Sequence, residues 1–439
     1  MARLRISDRR ERALVAAADA VLSPVALRRV FRRHDVTPPQ RILCFRLERI
    51  GDLLMTGQAL AELRALAPGG ATIDLVVGSW NREIAAAIPG INRIEILDAA
   101  WLTRSASPPS PLRGPGEAGG EAGLGALGLA RQAARWRSRR YDLAINFEPD
   151  IRTNIALAAA GARRTAGFAS GGGGSLLDVA IDYDPSAHTI DNARTLVHDV
   201  FGGRPGAPVT WALRVPEAHR AVAARLLAPF AGAPNVGMHV SGGRAIKQWP
   251  EARFREVAEH LVRDRSAGIV LTGTPAERTQ IDLVRSGLPP DRVLDLSENV
   301  DLLTVAAVIE QLDLFVTGDT GPMHLANAVG TPIVAVFGPS DPRRYAPRGA
   351  SDTVVRIDLP CSPCNRIRRP PARCAGHTPD CLAGVAVARV LAAIDEALAN
   401  GPRRERAAAS EPRVRSGDRG TSANDRAGES DGRSPSESR

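Results

Sequence analysis

The sequence predicts an α/β protein made of two Rossmann-like halves that face each other across a cleft. Three observations predict it. Short apolar runs alternate with helical stretches along most of the chain, the pattern of parallel βαβ units. Polar, glycine-bearing turns follow several of these runs, at Gly51, Ser241, Gly273 and Gly318. Open parallel sheets gather ligands at that carboxyl edge. A proline-containing stretch ending at Val215 separates one such series from a second.

Composition bounds the rest. A chain of 439 residues suggests two or three domains, and 44% hydrophobic content is ordinary for a soluble core. No apolar run reaches the roughly 18 residues that span a bilayer. The N-terminus lacks the compact apolar region of a signal peptide, so a cytoplasmic location is expected. The formal charge is +9, and Lys247 is the single lysine among 57 basic residues. In so arginine-rich a chain, one retained lysine points to a compact ammonium charge against phosphate. Chance retention is the bland alternative. Aromatic residues make up only 4% and the arginines are dispersed, which argues against nucleic acid as a partner.

Residues 1–37 hold nine arginines and four acids around ALVAAADAVLSPVALRRVF, which reads as a basic, amphipathic helical extension. It either adheres to an anionic inner-membrane surface or packs as a solvated helix on the next domain. The first half, 38–205, opens with the strand RILCF and a glycine turn running into a helix. Arg49, Ile50, Gly51 and Asp52 therefore sit at a strand-to-helix turn, where Asp52 either caps the helix or faces the cleft as a general base. ATIDLVVGS and INRIEIL are further strands. The Pro-, Gly- and Ser-rich segment 105–128 reads as a flexible insertion. Arg131 to Arg140 reads as a basic helix, YDLAINFEP as a strand, and Arg163 to Phe168 as a short strand leading into a mobile Gly171 to Gly174. Basic side chains around Arg152 and Arg163 either face an acidic acceptor or form a solvated cluster.

The second half, 206–400, starts with the strand to Val240, the turn Ser241, Gly242, Gly243 and then Lys247 before a helix. The strand GIVLTG ends at Gly273, and a helix from Ala276 follows; RVLDLS is the next strand. The apolar run Leu314 to Val316 ends at Gly318, Asp319, Thr320 and Gly321, and MHLANAV is the helix that follows, with His324 on its first turn. Three polar turns thus converge on one edge, with the only lysine on one of them, which predicts a nucleotide-diphosphate pocket. Glycines admit a ligand close to the backbone, and the helix N-terminus offers N–H groups to an anion. Cys361, Cys364, Cys374 and Cys381 lie within 361–381, a spacing that suits a metal site or a loop of unligated thiols. The tail 401–439 is nearly devoid of apolar residues and reads as disordered.

RIGDLLMT, SGGRAIKQWP, GDTGPMHLANAVGTPIVAVFGPSDP and the CSPC cluster resemble glycosyltransferase family 9, the ADP-heptose:lipopolysaccharide heptosyltransferases, from about Arg41 to Asn400. The resemblance implies a GT-B fold in which 38–205 binds a lipid-linked or glycan acceptor and 206–400 binds a nucleotide-sugar donor. It implies Asp52 as general base, with Arg49, Gly51 and Arg152 on the acceptor side. Lys247 would neutralise the departing diphosphate, beside Ser241, Gly242, Gly243 and Gly273. Glu277 would hold the ribose or adenine end, Asp319 the donor sugar hydroxyls, and Thr320, Gly321 and His324 the phosphates. The implied reaction is inverting and needs neither metal nor cofactor. Two departures stand out: Gly242-Gly243 replaces more polar residues, and Glu148-Pro149-Asp150 replaces a small-residue turn. Two other readings are a GT-B nucleotide-sugar epimerase and a basic four-cysteine nucleic-acid-binding protein.

Overall fold

A computed structural model describes residues 4, 6, 9–26, 37–98 and 125–400. The tail 401–439 and residues 105–124 of the predicted insertion lie outside the described residues. The remainder of that insertion is the start of a helix beginning at Ala126, earlier than the predicted Arg131.

The first half contains α1 (Arg9–Leu22), β1 (Arg41–Phe45), α2 (Ile50–Leu66), β2 (Thr72–Val77) and β3 (Arg93–Ile96). It continues with α3 (Ala126–Ser138), β4 (Leu143–Asn146), α4 (Ile151–Ala159), β5 (Arg164–Phe168), β6 (Val179–Ile181) and α5 (Thr189–Val200). The second half runs α6 (Glu217–Leu227), β7 (Asn235–His239), α7 (Glu251–Arg265), β8 (Gly268–Thr272), α8 (Arg278–Arg285) and β9 (Val293–Asp295). After these come α9 (Leu302–Glu310), β10 (Leu314–Gly318), α10 (Gly321–Val329), β11 (Ile333–Val336), β12 (Thr353–Val355) and α11 (Val387–Asn400).

Each half is one six-stranded sheet, ordered β3-β2-β1-β4-β5-β6 and β12-β11-β10-β7-β8-β9. All pairings are parallel. Counted from its own first strand, the second sheet repeats the strand order of the first, the doubly wound order with its switch point between the two central strands. Helices cover both faces, so central strands such as Ile42–Phe45 and Leu314–Val316 are fully buried and read as unbroken apolar runs.

Two edge strands, β6 and β12, are absent from the sequence prediction. Each has three residues and is only partly buried, too short to leave a periodic signal. Gly171 to Gly174 is packed, contrary to the predicted mobile loop. Asn154 Nδ2 donates to Gly172 O at 2.8 Å, and the Gly173 N–H donates to Asp19 of α1. A Cβ at Gly172 would lie 2.3 Å from Val15 Cγ1. The absence of side chains there seats α1.

The connection between halves is stitched to both. Leu213 N donates to Ala328 O at 2.9 Å, and Arg214 N to Ala87 O at 2.8 Å. Trp211 lies on Gly57 of α2, where an added Cβ would be 2.2 Å from the indole ring. Beneath it, Glu62 of α2 accepts from Arg194 Nε at 2.7 Å and pairs with His198 Nε2 at 2.9 Å, tying α2 to α5. We expect Gly57→Ala to lower unfolding stability by about 1–3 kcal/mol through overpacking, as read from urea titration. An unchanged midpoint would mean that Trp211 does not pack there.

Candidate active site

Parallel strands send all their carboxyl ends to one edge, so the turns after β1 and β4 meet at the first switch point and those after β7 and β10 at the second. At the first, β1 runs into Arg46, whose side chain is 4% exposed as a residue. Its guanidinium donates to Phe147 O at 2.7 Å and to Asp52 O at 3.2 Å, and pairs with Asp52 Oδ1 at 3.3 Å. Asp52 lies in the first turn of α2, whose N-cap residue Arg49 offers no side-chain cap. A carboxylate there sits favourably at the positive end of the helix dipole.

At the second switch point, Lys247 Nζ contacts Asp319 Oδ2 at 2.8 Å. This ion pair joins the turn after β7 to the turn after β10. Burial pushes the Asp319 carboxyl up, but Lys247, His324 and hydrogen bonds from Lys247 and Ser340 outweigh it and hold it below its ordinary range. Thr320 caps α10 without a side-chain bond to its N–H groups; its hydroxyl instead meets Thr317 Oγ1 at 3.0 Å. The first N–H groups of α10 are thus left without a side-chain cap, with Pro322 supplying none. His324, on the same turn, is 8% exposed, and burial lowers its pKa against the pull of Asp319 and Asp52.

Two of the other predicted donor-side residues, Ser241 and Glu277, lie in one hydrogen-bonded row. Ser241 Oγ bonds Glu277 Oε1 and lies 3.3 Å from His239 Nε2. Glu277 Oε2 accepts from Thr274 N at 2.9 Å and from its hydroxyl at 3.0 Å, a capping box. The turns at Ser241 and Gly273 are therefore joined through Glu277. Gly242 is sterically required, since a Cβ would lie 2.7 Å from Gln248 N, and Gly243 has φ +62°. A Cβ at Gly273 would meet Ile281 at 2.6 Å.

The two halves meet where α2 and α10 begin. A Cβ on Gly51 would lie 2.8 Å from His324 Cδ2, and one on Gly321 would lie 2.8 Å from Ile50 Cγ2. This close approach brings Asp52 beside His324 and, through it, toward Asp319 and Lys247.

Two other predicted groups have the following surroundings. Arg152 is engaged by its neighbour Asp150, Nε to Oδ1 at 2.9 Å, and both line a cavity of about 240 Å³ beneath α1 with Glu11, Leu14 and Ile151. Among the described residues, no group of three or more His, Cys, Asp or Glu side chains, the four cysteines included, is placed to hold a metal ion. Cys361 is exposed, Cys381 is buried, and all are free thiols. Burial pushes the Cys381 thiol up.

Sequence reasoning missed Arg46 as a site residue and noted Glu148 only as a departure. Glu148 follows β4 and is 2% exposed. Its Oε1 accepts from Leu47 N and from Glu48 N at 2.7 Å. Burial, then the charge of Glu48, pushes its carboxyl up to about 8. The available signal was a carboxylate at the carboxyl end of a central strand.

The pairing of two doubly wound domains edge to edge is the GT-B arrangement of glycosyltransferases. The Escherichia coli ADP-heptose lps heptosyltransferase II matches with a TM-score of 0.66 at 20% identity, covering 82% of this chain and 98% of that one. Residues 130–372, more than half of the chain, match the family model of glycosyltransferase family 9 (heptosyltransferase), and the chain belongs to that family. The match includes Lys247 and Asp319 and begins after Asp52. Lipopolysaccharide heptosyltransferase 1 of Pseudomonas aeruginosa is 34% identical over 118 residues, 27% of this chain and 32% of that protein. Lipopolysaccharide core heptosyltransferase OpsX of Haemophilus influenzae is 24% identical over 326 residues, 73% of this chain and 85% of the relative. The family favours the transferase reading over the epimerase and nucleic-acid alternatives.

Because the fold raises the Glu148 pKa, it favours the protonated form. The group adds stability below the unfolded carboxyl range and withdraws it as pH rises toward about 8. Glu148→Gln keeps an accepting oxygen and removes the titration. We expect its melting temperature, relative to wild type, to climb between about pH 5 and about 8. A constant difference across that window would refute a proton-holding Glu148.

Proposed function

We propose that the chain transfers a heptose from ADP-heptose to a hydroxyl of a lipopolysaccharide-core acceptor in one inverting displacement. Beside the family, one observation supports it: Asp52 and the Lys247–Asp319 pair come from opposite halves to the approach of α2 and α10. Asp52 takes the proton from the acceptor hydroxyl. The freed oxygen bonds the anomeric carbon from the face opposite the diphosphate, and the bond from that carbon to the diphosphate breaks, its electron pair leaving with the diphosphate. Lys247 and the N–H groups of Gly321 and His324 stabilise that leaving charge. Asp319 takes donor sugar hydroxyls, and Glu277 with Ser241 faces the nucleoside end. No metal enters the step, because the cation and helix N-terminus supply the positive charge.

The acceptor is approached from the surface carrying Arg49 and α1. Among the described residues no helix is long and apolar enough to cross a membrane. α1 instead displays Leu14 and Val21, 73% and 79% exposed, beside exposed Arg9 and Arg12. That mixture suits peripheral contact with an anionic bilayer on the cytoplasmic face, where basic and apolar groups add.

Three outcomes are expected. Asp52→Asn reduces turnover by about 10²–10⁴-fold while calorimetry finds ADP affinity near wild type; parallel loss of ADP binding would make Asp52 structural. Lys247→Ala weakens ADP binding by about 10-fold or more, as loss of a charge-assisted hydrogen bond requires, and unchanged affinity would remove its role. Heptose transfer persists after dialysis against chelator, and its loss with recovery on adding a divalent ion would replace this mechanism.

A further inference from the structure

We infer that Arg46 and Glu148 act as a reciprocal clamp across the first switch point that positions Asp52, both being positioning residues rather than groups that touch substrate. The inference rests on Asp52 as the base. Arg46 follows β1 and reaches to β4, donating to Phe147 O at 2.7 Å. Glu148 follows β4 and reaches back, accepting from the Leu47 and Glu48 N–H groups. Each strand end therefore supplies the side chain that fixes the other's backbone. Both side chains are nearly inaccessible, at 4% and 2%, where a polar group that loses its hydrogen bonds is costly and a satisfied one holds a single arrangement.

The clamp bears on Asp52 by two routes. Glu148 fixes Leu47 and Glu48, immediately before the turn that ends in Asp52. Asn81 Nδ2, donating to Glu48 O at 2.7 Å, holds the same residue from the other side. Arg46 touches Asp52 itself, at its carbonyl and at Oδ1. With Oδ1 engaged, Oδ2 is the atom left to take the acceptor proton. Behind the clamp, Asn146 donates to Glu148 O at 3.0 Å, to Thr153 Oγ1 at 2.9 Å and to Asn154 Oδ1 at 2.7 Å, so Glu148 rests on α4.

A double-mutant cycle on the full chain tests this, with heptose transfer followed as ADP release. Arg46→Met alone is expected to lower kcat by about 10²-fold, with ADP affinity and binding stoichiometry as in wild type. In an Asp52→Asn background the same substitution costs less than about threefold, because a residue acting through another adds nothing once that partner is gone. Glu148→Leu loses at least about tenfold more kcat than Glu148→Gln, whose amide oxygen still accepts from the turn. An Arg46 effect that persists in full in the Asp52→Asn background would overturn the clamp, as would equal losses for Gln and Leu at position 148. Should Arg46→Met fail to fold, Arg46→Lys enters the same cycle under the same criterion. Wild-type turnover by Asp52→Asn would instead sink the assignment of the base, a result distinct from either failure of the clamp.

Discussion

The structure depends on two helix N-termini being brought almost into contact. α2 and α10 each begin at the switch point of their own sheet, and Gly51 and Gly321 allow the two beginnings to close on each other. Two positive dipole ends so placed repel unless negative charge lies between or beside them. The chain supplies one carboxylate for each: Asp52 in the first turn of α2 and Asp319 just ahead of α10. Each carboxylate is paired with a cation from the turn after the first strand of its own sheet, Arg46 in one case and Lys247 in the other. The repeated strand order thus carries a repeated electrostatic motif.

The two copies have diverged in solvent exposure and in the choice of cation. Arg46 is buried and planar, tied to three oxygens, and suits a fixed support. Lys247 is a compact charge on a flexible stem, joined to Asp319 by a single contact, and suits an exchange of partners. In the proposed reaction, a base that must keep its direction and a cation that must meet an arriving diphosphate ask for these different side chains.

The central architecture was legible because its signals are local. Buried parallel strands leave unbroken apolar runs, and their turns leave glycine with polar residues, so the edges at Asp52, Ser241, Gly273 and Gly318 were placed from sequence. What was missed is nonlocal. Arg46 and Glu148 lie about a hundred positions apart, and in sequence a buried charge is indistinguishable from a solvated one. Gly171 to Gly174 looked like a mobile loop because glycine signals freedom and close packing alike; only the partners Val15 and Asn154 distinguish them. The cysteine spacing favoured bare thiols over a metal site without excluding one, and it could not show that Cys361 lies at the surface while Cys381 is buried.

The single lysine has a consequence for chemical handling of the protein. Apart from the terminal α-amino group, Lys247 carries the only aliphatic primary amine in the chain, so a reagent that forms a stable amide or a reductively trapped imine has one internal amine target, on the turn that follows β7. If Lys247 meets the donor as proposed, the extent of acylation at that position, protected or not by added nucleotide, becomes a readout of donor-site occupancy that requires neither an acceptor nor an engineered probe.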